Sequence, residues 1–180
     1  MILIGIGSNL SGGGYKTSVD VCEAALGALT AKGITVLAHS QWFESEPVPV
    51  SDQPWFVNGV ACVETTLGAV DLLACLHEIE ESFGRVRRAR NEARILDLDL
   101  LAFGSQIIEI ADGPVIPHPR LEQRAFVLLP LQEIAPEWSH PLSGRSVSAL
   151  IGELPAGQNI RPLKPLGKPQ GKPTDKPVDG

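Results

Sequence analysis

The order in which apolar periods of two and of about 3.6 alternate along the chain is the strongest constraint on its fold. Ile2 to Ile6 is an apolar run suited to a buried strand, closed by Gly7, Ser8 and Asn9. From Thr17 to about Lys32, Val19, Cys22, Leu26 and Leu29 fall on one helical stripe, and Gly33 stands where a C′ residue is needed. Ile34 to Phe43 is β-rich and is broken by Glu46-Pro-Val-Pro49, after which Phe56 to Thr66 reads as another strand. Leu72, Leu73, Leu76, Ile79 and Phe83 mark a second amphipathic helix that stops at Gly84. Ile95 to Phe103 is a strand, Gln106 to Ile110 a shorter one, and Ser146 to Leu154 a short helix. The pattern is β-α-β-β-α-β with C-terminal additions. It predicts an α+β, ferredoxin-like sandwich: an antiparallel sheet with its helices on one face.

Residues 1–160 are expected to form this domain. Beyond it, Lys164-Pro165, Lys168-Pro169, Lys172-Pro173 and Lys176-Pro177 repeat every four residues among Gly, Gln, Thr and Asp. Residues 161–180 have almost nothing to bury and read as a disordered, Lys/Pro-rich tail. The N-terminus runs from strand into glycine-rich polar sequence without a basic region, unlike a signal peptide. Cys22, Cys62 and Cys75 are odd in number, widely spaced and each within an apolar segment, which argues for reduced core thiols in a cytoplasmic protein. A formal net charge of −6 disfavours nucleic acid as a partner, and no apolar run is long enough to span a membrane. An anionic ligand therefore needs a local island of positive charge.

Such an island lies beside an acidic strand. In Arg94-Ile-Leu-Asp-Leu-Asp-Leu-Leu-Ala-Phe103, alternation puts Asp97 and Asp99 on one side, about 7 Å apart. Ile95, Leu101 and Phe103 are expected on the same face, and Leu96, Leu98 and Leu100 on the other. Two carboxylates on a mostly apolar face need cations. Magnesium characteristically takes one or two carboxylates and fills its other positions with phosphate and water. The alternative is an edge strand whose aspartates meet water or arginine. Immediately upstream, Arg85, Arg87, Arg88, Arg90 and Arg94 reverse the local charge, and guanidinium forks suit phosphate oxygens. Pro117-His118-Pro119-Arg120 holds a histidine in a rigid turn, with Arg124 and Phe126 following. In Asp52-Gln-Pro-Trp-Phe-Val-Asn58, the aromatics suit either the core or a flat ring. Asn58, an amide inside a strand, needs hydrogen-bonding partners. Gly5-Ile-Gly-Ser-Asn9 is a weak signal alone, although glycine there lets backbone approach a ligand.

Taken in order, GSN, DQPxFxN, ExxxGRxR, RxxDLDLL, PHP and RxFVLLPLxEIAP resemble the 6-hydroxymethyl-7,8-dihydropterin pyrophosphokinase family of folate biosynthesis, over about residues 3 to 154. The resemblance implies the ferredoxin-like fold and transfer of the β,γ-pyrophosphoryl group of ATP to the pterin hydroxymethyl oxygen. It implies two Mg²⁺ ions on Asp97 and Asp99, and triphosphate contacts from Arg85, Arg87 and Arg94. His77, Glu80, Leu100, His118 and Arg124 fall on the nucleotide side. Ser45, Glu46, Val48 and Asn58 fall on the pterin side, with Phe56 and Phe126 stacking on the ring. The partners expected are ATP and the dihydropterin alone, with the protein acting as a monomer. Two departures stand out. Asn91-Glu-Ala-Arg94 is shorter than the family segment and lacks its Gly and Trp, and Pro119 stands where some members carry an aromatic. Both imply altered affinity with activity retained. The competing readings are another magnesium-dependent nucleotide phosphotransferase or hydrolase, and a non-catalytic nucleotide- or protein-binding module.

Overall fold

The computed structural model describes residues 1–47, 50–84, 94–110 and 114–163. Strand β1 (Ile2–Ser8) leads into helix α1 (Ser18–Ala31). Thr17 starts that helix with a reciprocal capping box: its hydroxyl accepts the Asp20 N–H at 3.1 Å, and the Asp20 carboxylate accepts the Thr17 N–H at 2.9 Å. Gly33 ends it at φ 77°, as the sequence leads one to expect. Strands β2 (Thr35–His39), β3 (Phe43–Ser45) and β4 (Phe56–Glu64) follow, then helix α2 (Ala69–Ser82), stopped by Gly84 at φ 86°. Strand β5 (Asp97–Phe103) carries the paired aspartates, and β6 (Ile108–Glu109) pairs with β7 (Val115–Ile116) apart from the main sheet. Helices α3 (Ala125–Ile134) and α4 (Val147–Gly152) and strand β8 (Ile160–Pro162) complete the described chain.

The main sheet runs β5-β1-β4-β3-β8, with β2 also paired to β4, and every pairing is antiparallel. Each helical crossover, β1-α1-β2 and β4-α2-β5, thus skips a place that another strand fills. That is the split βαβ arrangement. β8 adds a strand beside β3 (Ser45 opposite Ile160), and the Leu163 N–H donates to the Trp42 carbonyl at 2.8 Å. The domain boundary drawn at residue 160 therefore falls at the start of a strand, and residues 161–163 belong with the sheet.

Helices cover both faces of the sheet, which corrects the single helical layer expected. On one side Val21, Leu29, Leu72 and Leu76 pack on Ile4, Ile6, Leu98 and Leu100. On the other, Val127, Leu128 and Leu131 of α3 pack with Val147 and Leu150 of α4 on Leu3, Val60 and Leu101. Pro130 lies inside α3 and leaves the Phe126 carbonyl without its usual amide partner, a break signal in sequence. Burial outweighs that cost: Leu128 and Leu131 are fully buried, each contributing about 2 kcal/mol.

A bulge separates the two layers on β5. Ile4 opposes Leu100 while Leu3 opposes Ala102, so Leu101 is the extra residue. Leu101 and Ala102 consequently both enter the α3-side core. Phe103 is turned to the α1–α2 side, where Ile95 also packs, so neither shares the carboxylate face as strict alternation predicts.

Candidate active site

One cleft of about 1310 Å³ opens over the end of the sheet where β5, β1 and β4 lie side by side. Its floor carries Gly7, Phe56, Asn58, Asp97 and Asp99, and its walls bring His77 and Glu80 from α2, Ser45 and Glu46 from the end of β3, His118 and Arg124 from the approach to α3, and Phe126 from its first turn. These residues come from separate segments of the chain. Arg94 joins them, so most of the side chains expected in the site are in one place. Val48, Arg85 and Arg87 lie outside the described residues. The side chain of Leu100 is buried among the α1–α2 core residues, on the opposite face from Asp97 and Asp99, so only its backbone is left to meet a ligand.

The aspartates sit on one face, as the period of two requires, and each faces a guanidinium. Arg94 Nη1 donates to Asp97 Oδ1 at 2.8 Å, and Arg124 Nη1 donates to Asp99 Oδ2 at 3.1 Å. Asp97 and Asp99 retain 26% and 33% of their side-chain exposure, enough for a ligand to reach them. The carboxylates are thus paired with arginine, as the alternative reading of the acidic strand has it, and they also face the cleft. Among the described residues no three His, Cys, Asp or Glu side chains gather as a metal site. Two carboxylates at an open cleft fit the donor set magnesium takes from a protein, its remaining ligands being phosphate and water.

His118 Nε2 stands 3.8 Å from the same Asp99 oxygen, beyond hydrogen-bond reach. Its Nδ1 accepts the Arg120 N–H at 3.1 Å, so the neutral ring carries its proton on Nε2, toward Asp99. Burial pushes the His118 pKa below its ordinary value. Asp99 opposes that shift, and Arg124 and Arg120 add to it. Burial likewise lowers the Arg124 pKa against the pull of Asp99. Arg124 also lies over the Phe126 ring, 5.3 Å from its centroid, so one guanidinium touches both the acidic and the aromatic parts of the cleft.

On the other side, the buried amide singled out in sequence has its partner: Asn58 Nδ2 donates to Ser45 Oγ at 2.8 Å. Gly7 lies between Asn58 and Asp97 in the sheet. A Cβ there would lie 3.1 Å from Asn58 Oδ1 and 3.8 Å from Asp97 Cβ. Beneath Phe126, Gly5 and Gly7 leave a hollow of about 20 Å³ against the sheet. Glu80 is buried and binds β5 directly, accepting the Leu98 N–H at 2.7 Å between the two aspartates.

Some participants were not evident from sequence. Asn9 is 2% exposed: it accepts the Arg94 N–H at 2.8 Å and donates to Gln53 Oε1 at 3.2 Å and to the Pro54 carbonyl at 3.3 Å. It ties the first loop, the Asp52-Gln-Pro segment and the residue facing Asp97 together. The only sequence signal was an asparagine after Gly7-Ser8. Pro155 to Asn159 also line the cleft, with nothing in their composition to mark them.

Comparison with known proteins agrees with this geometry. Residues 3–136 match the family described as 7,8-dihydro-6-hydroxymethylpterin-pyrophosphokinase. A 2-amino-4-hydroxy-6-hydroxymethyldihydropteridine pyrophosphokinase of Pseudomonas aeruginosa is 39% identical over 155 residues, covering 86% of this chain and 91% of that protein. One from Haemophilus influenzae is 40% identical over 141 residues, covering 78% and 84%. The folic acid synthesis protein fol1 of Pneumocystis carinii is 37% identical over 164 residues, 91% of this chain but only 21% of that longer protein. Among solved structures, Plasmodium falciparum HPPK-DHPS (wild type, with STZ-DHP) superposes with a TM-score of 0.63 at 14% identity, covering 84% of this chain and 42% of that one. That likeness concerns the fold. The family match and the bacterial relatives extend over most of the described residues, and on them this chain belongs to the 7,8-dihydro-6-hydroxymethylpterin-pyrophosphokinase family.

Proposed function

We propose that the cleft transfers the β,γ-pyrophosphoryl group of ATP to 6-hydroxymethyl-7,8-dihydropterin, in the biosynthesis of tetrahydrofolate. The hydroxymethyl oxygen forms a bond to Pβ as the bond from Pβ to the α,β-bridging oxygen breaks. AMP leaves with that oxygen, the hydroxyl gives up its proton, and the other product is the pterin diphosphate. The observation that carries this reading is the confluence, in one cleft, of a carboxylate–guanidinium group (Asp97, Asp99, Arg94, Arg124) and an amide–aromatic group (Asn58, Ser45, Phe56, Phe126).

Asp97 and Asp99 are the residues that would hold Mg²⁺, two ions by the family resemblance. When bound, the metal neutralises polyphosphate charge and aligns it for displacement. Arg94 and Arg124, now on the carboxylates, are placed to turn to phosphate oxygens once the aspartates have another cation. Arg85 and Arg87 act with them in this reading. His118, with Nε2–H toward the acidic pair, offers a neutral donor to a phosphate oxygen, and His77 and Glu80 border the nucleotide. Asn58 and Ser45 read the hydrogen-bonding edge of the pterin, Phe56 and Phe126 flank its faces, and Glu46 and Val48 contact it from the preceding loop. Among the described residues no side chain is poised as a strong general base, so positioning and charge neutralisation supply most of the rate.

Nucleotide products, measured with and without the pterin and with and without Mg²⁺, test this reading. AMP that requires both is the expected result. ADP, or nucleotide cleavage indifferent to pterin, would place the acceptor elsewhere.

A further inference from the structure

Helix α3 begins without a cap of its own. Arg124 occupies its N-cap with extended backbone (φ −114°, ψ 109°), and no side-chain cap hydrogen bond is made from it. An N-cap is usually Ser, Thr, Asp or Asn, whose oxygen satisfies one of the first orphan amides. Here the position is taken by a guanidinium that reaches Asp99, and the missing cap comes from 33 residues away. Gln158 Oε1 accepts the Ala125 N–H at 2.9 Å. Its Nε2 donates to the Gln123 carbonyl at 2.9 Å, so one amide clamps the backbone on both sides of Arg124. Gly157, at φ 86°, supplies the left-handed turn that aims Gln158 at this junction.

The segment bearing Gln158 is anchored on the opposite wall of the cleft. The Glu46 N–H donates to the Asn159 carbonyl at 3.0 Å, Asn159 Nδ2 donates to Glu46 Oε2 at 2.6 Å, and Ile160 pairs with Ser45. A strap outside the matched residues 3–136 therefore joins the wall holding Ser45 and Glu46 to the wall holding Arg124 and Phe126.

We propose that Gln158 is a positioning residue: it caps α3 from a distance so that Arg124, between its two hydrogen bonds, is held toward the reacting groups. The proposal rests on the reading of the cleft as a pyrophosphoryl-transfer site. Misplacing a phosphate-binding guanidinium by an ångström is felt mainly in turnover, so kcat falls about tenfold in Gln158→Ala. Gln158→Met fills the same volume without either hydrogen bond and falls equally. In an Arg124→Ala background, Gln158→Ala adds less than twofold, because the group it positions is gone.

The test combines steady-state kinetics of the full-length protein and its variants with amide hydrogen exchange at Ala125. Faster Ala125 exchange in both Gln158 variants, with the kinetic losses above, is the expected result. Wild-type kinetics in Gln158→Met, or losses that multiply fully in the double variant, would overturn the proposal. If a variant does not fold, exchange in the wild-type protein decides: an Ala125 amide as labile as an uncapped helix end overturns it. Pterin-dependent AMP release by the wild type tests the function alone, and Ala125 exchange tests the clamp alone, so the two failures are distinguishable.

Discussion

Asn58 and Asp97 stand in one cross-strand row of the sheet, each directly opposite Gly7. The row spans two inter-strand spacings, about 10 Å, between the amide and the first carboxylate. A flat bicyclic ring held by its edge at Asn58 can thus present an exocyclic oxygen toward the acidic pair. Gly7, having no side chain, leaves the path open.

Gly7 gives the first prediction. In Gly7→Ala the new methyl meets Asn58 Oδ1 at 3.1 Å, tighter than ordinary contact, and obstructs the row. The Kd for the pterin is expected to rise about tenfold, with nucleotide affinity within twofold, as calorimetric titration of each ligand can show. Equal weakening of both ligands would mean that the row does not separate the subsites.

Removing either carboxylate should abolish turnover. Asp97→Ala and Asp99→Ala are each expected to lower kcat by at least about a thousandfold while the circular dichroism spectrum is retained. A single variant with normal activity would remove the basis for the metal assignment.

Asn58→Ala deletes the donor to Ser45 Oγ and leaves that buried hydroxyl short of a partner. Loss of one buried hydrogen-bonding group costs about 1–3 kcal/mol. The expected outcome is pterin binding weakened about ten- to a hundredfold and ATP binding nearly unchanged, measured by equilibrium titration.

His140 gives a pH dependence of stability separate from the cleft. It is buried against Trp138, and its Nδ1 accepts the Ser143 N–H at 3.2 Å, with Glu122 Oε1 3.4 Å away. Burial lowers its pKa, Glu122 opposes this, and Arg145 adds to it. The unfolded chain therefore binds the proton more readily. The contribution of neutral His140 is present above the unfolded pKa of about 6.5 and is lost as pH falls below it. Denaturant unfolding from pH 7.5 to 5 should show wild type losing stability faster than His140→Gln, by at most about 1.4 kcal/mol per pH unit. Parallel curves would count against the assignment.

The legible parts of the site were those whose signal is local. Asp97 and Asp99 share a face because side chains alternate along any strand. Asn58 was marked because an amide within an apolar strand needs a partner, although nothing in the sequence named Ser45 as that partner. Phe103 was misplaced because the bulge at Leu101 arises from pairing with β1, a contact across about a hundred residues. Asn9, noted only as the end of the GSN motif, and Gln158 had roles that went unread because each acts by holding distant backbone, and an isolated Asn or Gln carries no periodic signal.

By itself, the sequence determined the order and kind of the main elements, the ends of α1 and α2, and the common face of the two aspartates. These follow from side-chain period, capping chemistry and glycine conformation, all of which act within a few residues. Only the tertiary structure decided that helices cover both sheet faces, that Leu100 belongs to the core, and that Gln158 completes the start of α3. Those outcomes depend on burial and hydrogen bonding between segments far apart in the chain. Such contacts have no energy until the chain is folded, so no local pattern records them.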